Sequence, residues 1–132
     1  MLRMYPPMTE EQARLLGPLQ LAYIGDVVWE LLVRNELLHR GLNVRHMHRD
    51  AIARVNAGAQ ARAFERIAGQ LTDPEREAAQ RGRNAHPHHG VPKNQRPADY
   101  ADATALETLI GYLYLSGQEA RLTELFRMTE EE

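Results

Sequence analysis

The sequence predicts an all-α fold, a helical bundle, on three observations. Apolar residues recur at three- and four-residue spacing along most of the 132 positions, no segment alternates polar and apolar residues as a half-buried strand does, and helix-start signals recur along the chain. At this length one domain, residues 1–132, is expected, burying roughly two thirds of its unfolded surface. No linker, repeat or low-complexity tract argues for a second.

Thr9, followed three residues later by Gln12, is a capping box that starts a short first helix, which Gly17 can end. Pro18 suits the first turn of the next helix, the central one, which runs through 19-LQLAYIGDVVWELLVR-34 to Gly41. From Asn43 the series Val44, Met47, Ile52, Val55, Ala59, Phe64, Ile67 keeps the helical period, with Gly58 the weak point where one helix becomes two. A second capping box, Thr72 to Glu75 with Pro74 inside it, begins a polar helix ending near Gly82. Residues 84–98, NAHPHHGVPKNQRPA, contain three prolines and no periodicity, which predicts a loop long for a compact domain. The segment 100-YADATALETLIGYLYLSG-117 is an apolar helix ending at Gly117, and Gln118 to Met128 forms a short closing helix.

Composition excludes several classes of function. The absence of cysteine removes thiolate metal sites, thiol nucleophiles and disulfides together, points to a reducing compartment, and leaves any metal to oxygen or nitrogen ligands. Asp26, Glu30 and Arg34 interrupt the best apolar run below the roughly 18 residues of a membrane span, and no signal-peptide pattern follows Met1, so a soluble cytoplasmic protein is expected. A net charge of −2 with histidine neutral does not indicate a globally basic nucleic-acid binder, although local clusters can still make one.

Two apolar helices carry intrusive acids. Asp26 and Glu30 lie four residues apart among Leu21, Tyr23, Ile24, Val27, Val28 and Leu31, and Glu107 lies among Ala105, Leu106, Leu109 and Ile110. Burying an ionised carboxylate costs several kcal/mol unless something compensates it. If the two helices pack together, the acids converge and repel unless they share a proton or a cation, and a hard divalent cation with oxygen ligands is one solution. Pairing with an arginine, Arg34 being the obvious donor, or exposure at a helix edge is the other.

The segment 21-LAYIGD-26 with Glu30 and Arg34, then 81-RGRNA-85 with 92-PKN-94, then 104-TALETLIGYL-113, closely resembles the Mini-ribonuclease III family. These proteins are small relatives of ribonuclease III that have its catalytic domain and lack its double-stranded-RNA-binding domain. The resemblance spans roughly residues 15–127, with three motifs in the same order. It implies a ribonuclease III-like homodimer that cuts double-stranded RNA with Mg²⁺, Mn²⁺ substituting, to leave 5′-phosphate and 3′-hydroxyl ends. It also implies the precursor of 23S ribosomal RNA as substrate, with a ribosomal protein or pre-ribosome as a possible delivery partner.

Carried over by position, Asp26 matches the catalytic, metal-binding aspartate and Glu107 the catalytic, metal-binding glutamate. Full-length ribonuclease III has further carboxylates where this chain has Ala22 and Thr104. Glu30, one turn after Asp26, can hold a water of the metal's hydration shell or pair with Arg34. Arg81, Arg83, Asn84, Lys93 and Asn94 are expected to contact RNA phosphates, with Arg96 beside them, and His86, His88 and His89 can add charge below neutral pH or hold a transition metal. The apolar surface around Tyr23, Val27, Trp29 and Leu31 is expected to form part of a two-fold interface. A catalytically idle duplex-RNA-binding dimer and an unrelated helical interaction protein are the competing readings.

Overall fold

The computed structural model describes residues 3–41, 43–85 and 96–130, and the expected sites Lys93, Asn94, His86, His88 and His89 lie outside them. Among the described residues seven α-helices follow in order: α1 (Glu10–Arg14), α2 (Pro18–His39), α3 (Val44–Val55), α4 (Ala57–Ile67), α5 (Asp73–Arg83), α6 (Pro97–Leu115) and α7 (Glu119–Thr129), with a 3-10 turn at Ala68–Gln70. Among the described residues there is no strand, and no helix is long and apolar enough to cross a membrane.

The bundle is built around α6. From Ala103 to Leu113 every residue of α6 is buried except Glu107, so this helix is surrounded rather than laid on a surface. Helices α2, α4 and α5 pack against it. Helix α2 approaches backbone to backbone, because the two helices cross at Gly25 and Gly111. A Cβ at Gly25 would overlap the Glu107 carbonyl oxygen and reach within 2.9 Å of the Gly111 amide nitrogen, while one at Gly111 would overlap the Leu21 carbonyl oxygen. Two glycines facing each other thus set the depth at which the acid of one helix meets the acid of the other.

The helix ends follow local chemistry. Both predicted capping boxes form, with the Thr9 hydroxyl accepting from the Gln12 amide at 3.1 Å and the Glu75 carboxylate accepting from the Thr72 amide at 2.9 Å. Gly41 takes φ +74° after α2, as a residue beyond a helix end requires.

Three expectations are corrected. Gly17 does not close α1, which ends at Arg14, but caps the start of α2, its amide donating to Gln20 Oε1 at 2.8 Å. The α3–α4 break falls at Asn56, not Gly58. Asn56 is extended, accepts from the Ala59 amide at 2.9 Å and donates to the Ala53 carbonyl at 3.1 Å, so one side chain caps both helices. The polar helix does end near Gly82, at Arg83; Gly82 itself lies inside α5, where a Cβ would overlap the Thr108 hydroxyl of α6, so it also serves close packing. Trp29, expected at an interface, is only 2% exposed; it packs edge-on against Phe126 at 5.3 Å and donates its indole N–H to the Arg54 carbonyl.

Candidate active site

Asp26 and Glu107 come together. The Gly25–Gly111 crossing brings the residue after Gly25 beside the acid on α6, and both carboxyl groups line one open depression of about 530 Å³, with Tyr23, Val27, Tyr100 and Thr104 among its walls. Asp26 is exposed at its rim, and Glu107 is half-buried. Ala22 and Thr104, the positions where full-length ribonuclease III has further carboxylates, line the same depression. The Thr104 hydroxyl is committed to the Tyr100 carbonyl at 2.9 Å. Among the described residues the centre therefore has two carboxylates, and no group of three or more acidic or histidine side chains converges.

Among the described residues no cation offsets this pair. Among the described residues neither Asp26 nor Glu107 has an ion-pair partner, and Arg34, the donor expected in the alternative reading, is bound instead to Glu30. Burial first, then the hydrogen bonding and charge of Asp26, push the Glu107 carboxyl up to about 8 from 4.5. The Gln60 amide pulls the other way, donating to Glu107 Oε2 at 3.4 Å from the first turn of α4. Gln60 is 3% exposed and was invisible to motif reading. Its one signal is an amide at an inward-facing position among Ala57, Ala61 and Ala63.

Among the described residues the other predicted ones are dispersed. Glu30 is half-buried, outside the walls of the depression, and engaged with Arg34. Arg81, expected at a phosphate, is half-buried and donates to the carbonyls of Arg14 at 2.7 Å and Leu16 at 2.9 Å, clamping the α1–α2 connection. Arg83 pairs with Asp102 of α6, and exposed Asn84 ends α5, where it accepts from Gln80 at 3.3 Å. Along α2 the side chains of Leu19, Tyr23, Val27 and Leu31, spaced by four, form an exposed apolar stripe, with Tyr23 at 82% exposure.

Comparison with known proteins decides the family. Residues 19–118 match the Ribonuclease III domain family, and the Mini-ribonuclease 3 of Symbiobacterium thermophilum is 47% identical over 113 residues, 85% of this chain and 86% of that protein. The chain belongs to the Mini-ribonuclease 3 family. The Mini-ribonuclease 3 of Gloeobacter violaceus is 40% identical over 124 residues, 94% of this chain and 90% of that protein. That of Synechocystis is 43% identical over 115 residues, covering 87% and 78%. A crystal structure of a Fusobacterium nucleatum protein superposes with a TM-score of 0.77 at 30% identity, covering 86% of this chain and 91% of that one. The resemblance read from the three motifs is thus confirmed, as is the all-α ribonuclease III fold. This Mini-ribonuclease 3 family member is an endoribonuclease of the ribonuclease III type.

Proposed function

We propose that the chain cuts double-stranded RNA as a homodimer, with Mg²⁺ held by Asp26 and Glu107, Mn²⁺ substituting, and with the precursor of 23S ribosomal RNA as its substrate. The observation that carries this reading is the meeting of two acids in an open depression with no arginine or lysine paired to either among the described residues. Such a pair fits a hard divalent cation, since Mg²⁺ takes one or two protein carboxylates and fills its remaining positions with water and phosphate oxygens. When bound, such a cation supplies an acidified water and positive charge for the phosphoryl transition state.

The chain's own residues set the geometry for that chemistry. Asp26 stands at the solvent edge, where a phosphodiester can approach, and Glu107 comes from the wall of the depression. Glu107 must give up its proton to act as a ligand, so activity requires either alkaline pH or cation binding that expels the proton. Arg83 and Asn84 at the end of α5, with Lys93 and Asn94 in the connection that follows, are the proposed phosphate contacts; Arg81 supports them by fixing the α1–α2 connection.

Two further points support a dimer. Cutting both strands in one encounter calls for two centres related by a two-fold axis. The exposed stripe of Leu19, Tyr23, Val27 and Leu31 runs along the same helix as Asp26, and covering it against a second copy would set two centres at a fixed spacing.

The test is incubation with long duplex RNA in Mg²⁺ and in EDTA, with mapping of the product ends. The expected result is Mg²⁺-dependent fragments with 5′-phosphates and none in EDTA. Duplex bound but uncut in both would replace the proposal with an idle RNA-binding dimer.

A further inference from the structure

We infer that Gln60 is a positioning residue of the acidic centre, its side-chain amide fixing the Glu107 carboxylate for a cation shared with Asp26. The inference rests on the proposed reading of that pair as a divalent-cation site.

The first argument is burial without structural return. Among the described residues five polar or charged ones are buried: Gln60, Glu75, Thr104, Thr108 and Thr129. Four are tied into the fold. Glu75 is bridged by Arg121 at 2.8 and 2.9 Å, Thr104 donates to the Tyr100 carbonyl, Thr108 to the Thr104 carbonyl and Thr129 to the Phe126 carbonyl. Among the described residues the side chain of Gln60 has one partner, Glu107, at a long 3.4 Å. An amide removed from water for a single weak hydrogen bond does little for stability. Its position is nevertheless closely set: Asn56 caps α4 three residues before Ala59, and the small Ala57 and Ala61 on either side of Gln60 are buried where α4 packs on α6.

The second argument is chemical type. A lysine or arginine at position 60 would pair with Glu107 and compete with a cation for it, and an acid would add a third repelling charge. A neutral N–H donor does neither. It holds Oε2 of Glu107 and leaves the carboxylate's full charge for a cation, and among the described residues Oε1 has no protein donor. Metal-binding carboxylates are themselves held by hydrogen bonds, and losing such a partner typically costs about 10–100-fold in metal affinity or activity. In a centre where Ala22 and Thr104 provide no carboxylate, this single orienting contact carries more of the task than it would in a four-acid site.

The experiment uses the full chain and Mn²⁺ alone as probe. Binding is followed by the loss of the free-ion electron paramagnetic resonance signal and by the Mn²⁺-induced rise in melting temperature. Gln60→Met keeps the shape without the N–H, Gln60→Leu is the second variant in case the first fails to fold, and Asp26→Asn is run beside them. The expected result is a half-saturating Mn²⁺ concentration raised about 10–100-fold, with a melting temperature in EDTA unchanged or higher. Duplex affinity without metal should be unchanged, and the cleavage rate at saturating duplex should fall while the half-saturating duplex concentration stays the same. If wild type binds Mn²⁺ in a manner abolished by Asp26→Asn and both Gln60 variants bind it within twofold of wild type, the inference is overturned while the cation reading stands. A melting temperature in EDTA that falls by many degrees in both variants also overturns it, making Gln60 a fold residue. If wild type shows no Asp26-dependent Mn²⁺ binding, the cation reading itself fails.

Discussion

Replacing Glu107 with Gln should stabilise the metal-free protein, by an amount that grows with pH. The Glu107 carboxyl titrates at about 8 in the fold against 4.5 for the free group. That gap of about 3.5 pH units, at about 1.36 kcal/mol per unit, is about 5 kcal/mol. The direction follows from proton counting. Below pH 4.5 the folded and unfolded chains both hold the proton; between 4.5 and 8 the unfolded chain releases it and the folded chain keeps it, so stability falls as pH rises; above 8 the full penalty is present. The amide of the Glu107→Gln variant stays neutral throughout and avoids that loss. Urea unfolding in EDTA at half-unit steps from about pH 4.5 to about 8.5 should give curves that nearly coincide at the acid end and diverge to as much as about 5 kcal/mol at the alkaline end, with the variant above. Only the difference between the curves is read, so titrating groups that do not interact with Glu107 cancel. Parallel curves, or a variant below wild type by a constant amount, would refute the unpaired, repelling pair and point to a structural ion pair.

Other outcomes follow from the packing and the surface. Gly25→Ala or Gly111→Ala should cost about 3 kcal/mol or more in urea unfolding, because each added methyl meets backbone of the opposing helix, which cannot swing aside. Arg81→Ala should lower stability by about 1–3 kcal/mol through the two stranded carbonyls, with duplex affinity of the folded protein unchanged. Arg83→Ala should weaken every duplex alike and flatten the salt dependence by about one unit, with any sequence preference intact. Arg121→Leu strands the buried Glu75 carboxylate and should cost about 3–5 kcal/mol near neutral pH. Burial raises the Glu75 carboxyl, but the Arg121 and Thr72 hydrogen bonds outweigh it and hold the group below its usual value, so the stability this pair contributes is lost as pH falls through that lowered value.

What could be read from the sequence divides by the range of the interaction. Capping boxes at Thr9 and Thr72 and the turn at Gly41 depend on residues a few positions apart, and the chain supplies both partners locally. Asp26 and Glu107 could be paired because each is an acid on an apolar helix, and burial makes that combination conspicuous. Gly82 was ambiguous: a glycine late in a helix reads equally as a terminator or as a contact, and only the Thr108 side chain opposite decides. Arg81 shows the same limit for charge, since a guanidinium suits a phosphate and a pair of carbonyls alike and the carbonyls belong to residues 14 and 16. Trp29 went inward because Phe126, nearly a hundred residues later, covers it. Gln60 was missed because neither its charge nor its spacing marks it; its significance comes only from the carboxylate it touches.

Asp26 and Glu107 act as one centre only if their losses do not multiply. Single-turnover cleavage of a duplex RNA in saturating Mg²⁺, measured for wild type, Asp26→Asn, Glu107→Gln and the double variant with duplex binding checked for each, tests this most directly. Each single variant should lose at least about a thousandfold in rate while binding duplex normally, and the double variant should be scarcely slower than either, as for groups that work as a unit. Substantial Mg²⁺-dependent cutting by either single variant, or losses that multiply in the double variant, would contradict a shared catalytic centre at the α2–α6 crossing.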